Sequence, residues 1–96
     1  MFAVIATIFV KAGMAEEFVE AFEARRQRML ATEPAVLQYD LYRDLARPLE
    51  FVVIERFTSR QGREQHLATS RDHHRMMACF AAPPATQLLD PVPGCC

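Results

Sequence analysis

Residues 2–10, FAVIATIFV, alternate as a strand does, but both alternating rows are apolar. Phe2, Val4, Ala6, Ile8 and Val10 form one row, and Ala3, Ile5, Thr7 and Phe9 form the other. β-Branched and aromatic side chains favour extended structure, and a strand apolar on both faces is covered on both. Lys11-Ala12-Gly13 reads as a turn, with Gly13 free to take positive φ. Residues 14–32 then change period: Phe18, Phe22 and Met29, flanked by Val19 and Leu30, lie on one helical stripe. Glu16, Glu17 and Glu20 stand near the start of that helix and Arg25, Arg26 and Arg28 near its end, the order a helix dipole favours. Glu33-Pro34 stops it, because proline disfavours helical backbone in the residue before it.

Residues 36–44 predict a second strand, with Leu37, Tyr39 and Leu41 in an apolar row and Gln38, Asp40 and Tyr42 in a more polar one. After a short loop, residues 49–57 predict a third. Phe51, Val53 and Phe57 share a row with Glu55, while Val52 and Ile54 share the other with Glu50 and Arg56. Thr58-Ser59-Arg60-Gln61 fits a capping box that opens a helix. Thr69-Ser70-Arg71-Asp72 repeats the pattern, which predicts a break and a restart. The second piece carries His73, Met76, Met77 and Phe80, and Pro83-Pro84 ends it. Residues 86–90 make a last short strand. The resulting order, βαββαβ, is that of an α+β ferredoxin-like domain with an antiparallel sheet and both helices on one face. With strands 1 and 3 apolar on both sides, the other face also needs a cover. A second copy packed sheet to sheet is the simplest one, so a homodimer is expected.

At 96 residues the chain is one domain, with 1–92 as core and 93–96 as a C-terminal tail. Such a size leaves a modest core that often needs help from a partner. A net charge of −1 provides no field for a phosphate backbone, so nucleic acid is not an expected partner. The opening apolar run is too short to span a bilayer and lacks the features of a signal peptide, which points to a cytoplasmic protein without membrane partners. Of three cysteines, Cys79 reads as a buried free thiol, and Cys95 and Cys96 as an incidental vicinal pair with no metal-ligand spacing.

Four segments resemble the antibiotic biosynthesis monooxygenase (ABM) family of dimeric α+β barrel proteins. They are the opening strand with Lys11-Ala12-Gly13 and its acidic helix start, ATEPAVLQYDLYRD, FVVIERF and REQHLATS, and the final LLDPV is similar to that family's closing strand. The resemblance implies paired four-stranded sheets forming a barrel. It implies an oxidoreductase that works without metal, flavin or haem, a monooxygenase of a small quinol-like or polyphenolic aromatic with oxygen as co-substrate. The alternative is a non-oxygenase of the same fold, a small-ligand-binding dimer or a small-metabolite isomerase. The chain departs from many members at Ala35, where they carry glycine, and at Ser70 to His74. Its Trp count is 0, so the tryptophan of several members is absent, and His66 stands at that place. The asparagine of the haem-degrading members would fall near Thr7 and their axial histidine near Met76, which disfavours haem.

Cofactor-free oxygenation needs a base, orientation and a dry pocket. His66 is the candidate base, since its ordinary pKa lies near working pH and the resemblance puts it near the pocket. The alternative is a helical histidine that is partly exposed or hydrogen-bonded at the break. Glu55, in a row with three apolar side chains, must be paired, protonated or solvated by a cavity. It is either a pocket acid or base, or half of a salt bridge with an arginine, within the chain or across a dimer. Thr7, Phe9, Phe22, Tyr39, His73 and Met77 are candidate ligand-binding residues, with core packing as the alternative for the aromatics. His66 and His73 would share a face only of an unbroken helix, so no metal is expected.

Overall fold

The computed structural model describes residues 1–95. Its elements follow the expected order: β1 (Phe2–Phe9), α1 (Ala15–Thr32), β2 (Val36–Arg43), β3 (Glu50–Phe57), α2 (Arg60–Thr69), α3 (His74–Met77) and β4 (Ala85–Leu89). The four strands form one antiparallel sheet in the order β2-β3-β1-β4, so the two crossovers place β1 and β3 at its centre. This is the α+β ferredoxin-like βαββαβ fold.

Alternation decides which side chains meet the helices. Phe2, Val4, Ala6 and Ile8 of β1 are buried with Phe51, Val53 and Phe57 of β3 beneath the stripe of α1. Phe18 packs against Phe51 with ring centroids 4.9 Å apart. Phe22 stacks on Tyr39 at 4.6 Å with the planes 7° apart. Gly13 adopts φ 81° in the turn before α1, a conformation open to glycine without strain. On the reverse face Ile5 pairs with Ile54 and Thr7 with Val52, and no element among the described residues covers them.

Three local expectations change. The β2–β3 register shifts between Val36 and Gln38, and this bulge throws Leu37 out of the apolar row: Val36 takes the buried place and Leu37 is exposed. Val19 and Leu30 lie outside the buried stripe of α1, where Phe18, Ala21, Phe22 and Met29 are joined by Arg25, only 7% exposed. The cap of α2 is Ser59 rather than Thr58, its Oγ accepting from the Gly62 amide at 3.0 Å. The break at Ser70 is present. It is followed by an extended link and by the single turn of α3, shorter than the helix expected through Phe80.

Behind α3 the chain is sewn to the end of β1. Val10 bridges Phe80, Lys11 N donates to Cys79 O at 2.9 Å, and Ala81 N donates to Phe9 O at 2.7 Å. Cys79 is fully buried and free, Cys95 is exposed, and Cys96 lies outside the described residues, so the reading of the terminal pair does too. No helix among the described residues is long and apolar enough to cross a membrane.

Candidate active site

α2, the link after it and α3 stand off the sheet and leave a cavity of about 560 Å³. Its floor is Ala6, Ile8 and Val53, its far wall Leu67, Met76, Met77 and Phe80, and its lip Pro83 and Pro84. Leu67 and Met77 are half exposed, so the rim itself is apolar. Five groups bring polarity to this space: Arg25, Tyr39, Glu55, Arg63 and His66, with Ser70 and His73 at the edge.

Glu55 enters because strand parity puts it on the helix side next to Val53, opposite Tyr39 in the β2–β3 ladder. Among the described residues its carboxyl has no hydrogen bond and no ion pair. Burial pushes its pKa up to about 7, against the opposing pull of Arg63 and Arg25. Of the two readings of Glu55, the chain itself supplies no salt bridge.

His66 is 4% exposed, not a surface histidine. Nδ1 lies 2.6 Å from Glu33 Oε1, and Nε2 lies 3.2 Å from Arg25 Nη2. A guanidinium can only donate, so Nε2 must be the acceptor, and the ring proton sits on Nδ1 and is donated to Glu33. Burial holds the His66 pKa below its ordinary value, against the pull of Glu33. The ring is therefore neutral with both nitrogens engaged, and neither faces the cavity free to take a proton.

Arg25 organises the wall. Its Nε donates to the Tyr39 hydroxyl at 3.3 Å, Nη1 to Asp72 at 2.9 Å and Nη2 to His66. Asp72 is gripped again by Arg28, with two contacts of 2.6 Å, and Arg28 also pairs with Glu33 and donates to Ser70 Oγ. That grip holds the Asp72 pKa down at about 2. Two arginines, two carboxylates and a neutral imidazole thus close into a network with no net charge, which fixes the α2–α3 link against α1. Burial also lifts Tyr39 to about 12, so its hydroxyl keeps its proton.

Tyr39, His73 and Met77 line the cavity with Glu55 and His66. Thr7 and Phe9 do not. They pair with Val52 and Glu50, which puts both on the reverse face of the sheet. Phe22 packs behind Tyr39 and does not reach the cavity. His73 and His74 lie ring to ring at 4.7 Å. Among the described residues no three His, Cys, Asp or Glu are grouped to hold a metal. Arg25 and Arg63 line the cavity without standing among the sequence candidates, and only Arg25 carries a signal in the sequence. Its signal was present in the spacing 18, 22, 25, 29, which sets a charge on a buried stripe.

Fold and site define a ferredoxin-like domain with one face of its sheet turned to a partly apolar cavity holding a free carboxyl. Residues 1–78 match the antibiotic biosynthesis monooxygenase family, and the chain belongs to it. A Caulobacter crescentus CB15 structure named for that family superposes with a TM-score of 0.88 at 28% identity, covering 95% of this chain and 89% of its own. A crystal structure of another antibiotic biosynthesis monooxygenase gives 0.83 at 28% identity, covering 97% and 100%. A Nitrosomonas europaea structure, at 21% identity over 96% and 99% of the chains, shares the fold with a TM-score of 0.85. No curated protein matches the chain.

Proposed function

We propose that the protein is a cofactor-independent monooxygenase of a small quinol-like or polyphenolic aromatic, in which Glu55 is the general base. The observation that carries this reading is the unpaired Glu55 carboxyl in an apolar cavity of about 560 Å³. Membership of the family supports it.

In this scheme Glu55 takes a phenolic proton and leaves an electron-rich anion. The anion reduces oxygen directly. One oxygen atom ends on a ring carbon and the other leaves as water, so a quinol gives a hydroxyquinone and supplies all four electrons. The apolar walls exclude water from the anion, and a base with a pKa near working pH is well matched to the transfer. His66, with both nitrogens held, is a positioning residue: it sets Arg25, which sets Tyr39 and the link at Asp72. Two copies pair through the reverse face of the sheet, where Ala3, Ile5, Val52 and Ile54 lack a cover.

The test is oxygen uptake with an anaerobically prepared quinol, corrected for autoxidation. The wild-type rate should rise with pH to a plateau, with a midpoint near the Glu55 value of about 7, because only the carboxylate accepts a proton. Glu55→Gln should lower it by about 10²-fold or more. Equal rates for the two proteins remove Glu55 from the chemistry. Absence of enzyme-dependent uptake with every quinol tried favours the ligand-binding or isomerase alternative.

A further inference from the structure

Among the described residues every arginine but one has a partner for its guanidinium, an acceptor atom for most of them and the Phe2 ring for Arg60. The exception is Arg63. It stands on α2 three residues before His66, half-buried, and lines the cavity together with Glu55. Its backbone amide donates to Ser59 O at 3.3 Å, but its side chain makes no hydrogen bond and no ion pair. Two guanidinium charges act on Glu55, and that of Arg63 acts more strongly than that of Arg25. Arg63 is therefore near the carboxyl without being bonded to it. Arg25 cannot serve in its place, because its nitrogens are engaged by Tyr39, Asp72 and His66. Of the other polar groups facing this space, Tyr39 on β2 and His66 on α2 are neutral, and Ser70 and His73 stand at the edge. The cavity thus holds one free cation and one free acid in an apolar surround.

We propose that Arg63 is a second catalytic residue of this site, its guanidinium pairing with the ligand oxygen that gives its proton to Glu55. The transfer breaks the ligand O–H bond and forms an O–H bond on the Glu55 carboxylate. The electron pair stays on the ligand oxygen. Before the transfer the Arg63 charge faces the carboxylate. After it, the same charge faces the phenolate, and Glu55 is neutral. The cavity then holds one positive and one negative charge at both stages. No uncompensated charge arises among Ala6, Ile8, Val53 and Met76, where it would be expensive. Without Arg63, desolvation would favour the neutral phenol and return the proton to it. A guanidinium stays charged across the working range and can only donate, so it suits an oxyanion. This role rests on the reading of the cavity as the substrate site with Glu55 as its base.

The test uses 4-nitrophenol, whose phenol and phenolate absorb at different wavelengths, bound to the full-length protein without oxygen. Bound to the wild type, the probe should be about tenfold or more stronger as an acid than when bound to Arg63→Gln, the scale of one charge at close range in a partly buried site. Arg63→Lys keeps the charge and should restore most of the difference. Equal titration in the wild type and folded Arg63→Gln overturns the proposal, as does failure of the wild type to bind the probe at millimolar concentration. The wild type alone also tests it: a bound probe that is a weaker acid than the free one overturns the proposal even if the variant fails to fold. In oxygen uptake, Arg63→Gln should raise the midpoint of the pH–rate profile and lower its plateau by about 10²-fold. A raised midpoint with an unchanged plateau would make Arg63 only a countercharge of Glu55, which also overturns the proposal. The two readings fail separately. The expected probe titration without oxygen uptake supports Arg63 in the proton transfer and removes the oxygenase. Uptake with equal titration leaves the oxygenase and removes Arg63.

Discussion

At Glu55 burial and charge oppose one another, and burial wins: the neighbouring guanidinium groups of Arg63 and Arg25 do not bring the carboxyl back to its usual range. The consequence for stability has a definite sign. Below the unfolded pKa of about 4.3 both states hold the proton and the residue is neutral in effect. As pH rises towards 7 the unfolded chain releases the proton and the folded chain keeps it, so stability falls. It levels off once the folded group ionises near 7. Glu55→Gln should therefore match the wild type in melting temperature at pH 4 and exceed it at pH 8. The plateau gain is on the order of 2–3 kcal/mol, since each tenfold change in proton affinity between the two states is worth about 1.36 kcal/mol and exposure to the cavity screens part of it. A variant less stable than wild type at pH 8 would mean that the Glu55 carboxylate is paired in solution rather than free. His66 behaves differently. Truncation to Ala strands a donor of Arg25 and an acceptor of Glu33 in a buried place, and should cost about 1–3 kcal/mol in a denaturant melt. The midpoint of the pH–rate profile should stay with Glu55. A profile flattened in folded His66→Ala would instead assign the base to His66.

The elements hold the site by close approach as well as by charge. α2 packs so tightly over the turn before β2 that a Cβ on Gly62 would lie 2.8 Å from Ala35 Cβ. Both atoms are fixed to backbone, so neither can swing aside. Gly62→Ala should destabilise by about 1–3 kcal/mol, as overpacking does, and should shift α2 with its Arg63, His66 and Leu67. Adding Ala35→Gly should restore much of the loss, and a double-mutant cycle on thermal melts measures the coupling. Neither effect was visible in the pattern of apolar positions, because a missing Cβ leaves no mark on periodicity. The bulge at Leu37 was hidden for a related reason. Strict alternation of Leu37, Tyr39 and Leu41 looks like one face, and only the pairing with β3 shows that one residue is extra.

At the scale of the whole molecule the reverse face of the sheet sets the assembly, because its centre is apolar. Ile5 and Ile54 sit opposite one another at its centre, with no element among the described residues above them. Ile54→Glu should turn a dimer of the wild type into a monomer in sedimentation at micromolar concentration and lower its stability sharply. A wild type that sediments as a stable monomer would overturn the pairing. The order of elements, the central place of β1 and β3 and the exposure of Glu55 to the helix side were all legible in the sequence. Each follows from period and parity, which are local properties of a chain. The same parity, applied to Thr7 and Phe9, would have put them on the reverse face. What no local pattern could decide was the state of His66. A histidine on an amphipathic helix reads as a free base until Arg25, 41 positions away, and Glu33, 33 away, are found on its two nitrogens. Contacts between residues so far apart in sequence depend on how the crossovers close, and they convert the histidine into a strut while leaving the carboxyl across the cavity unpaired.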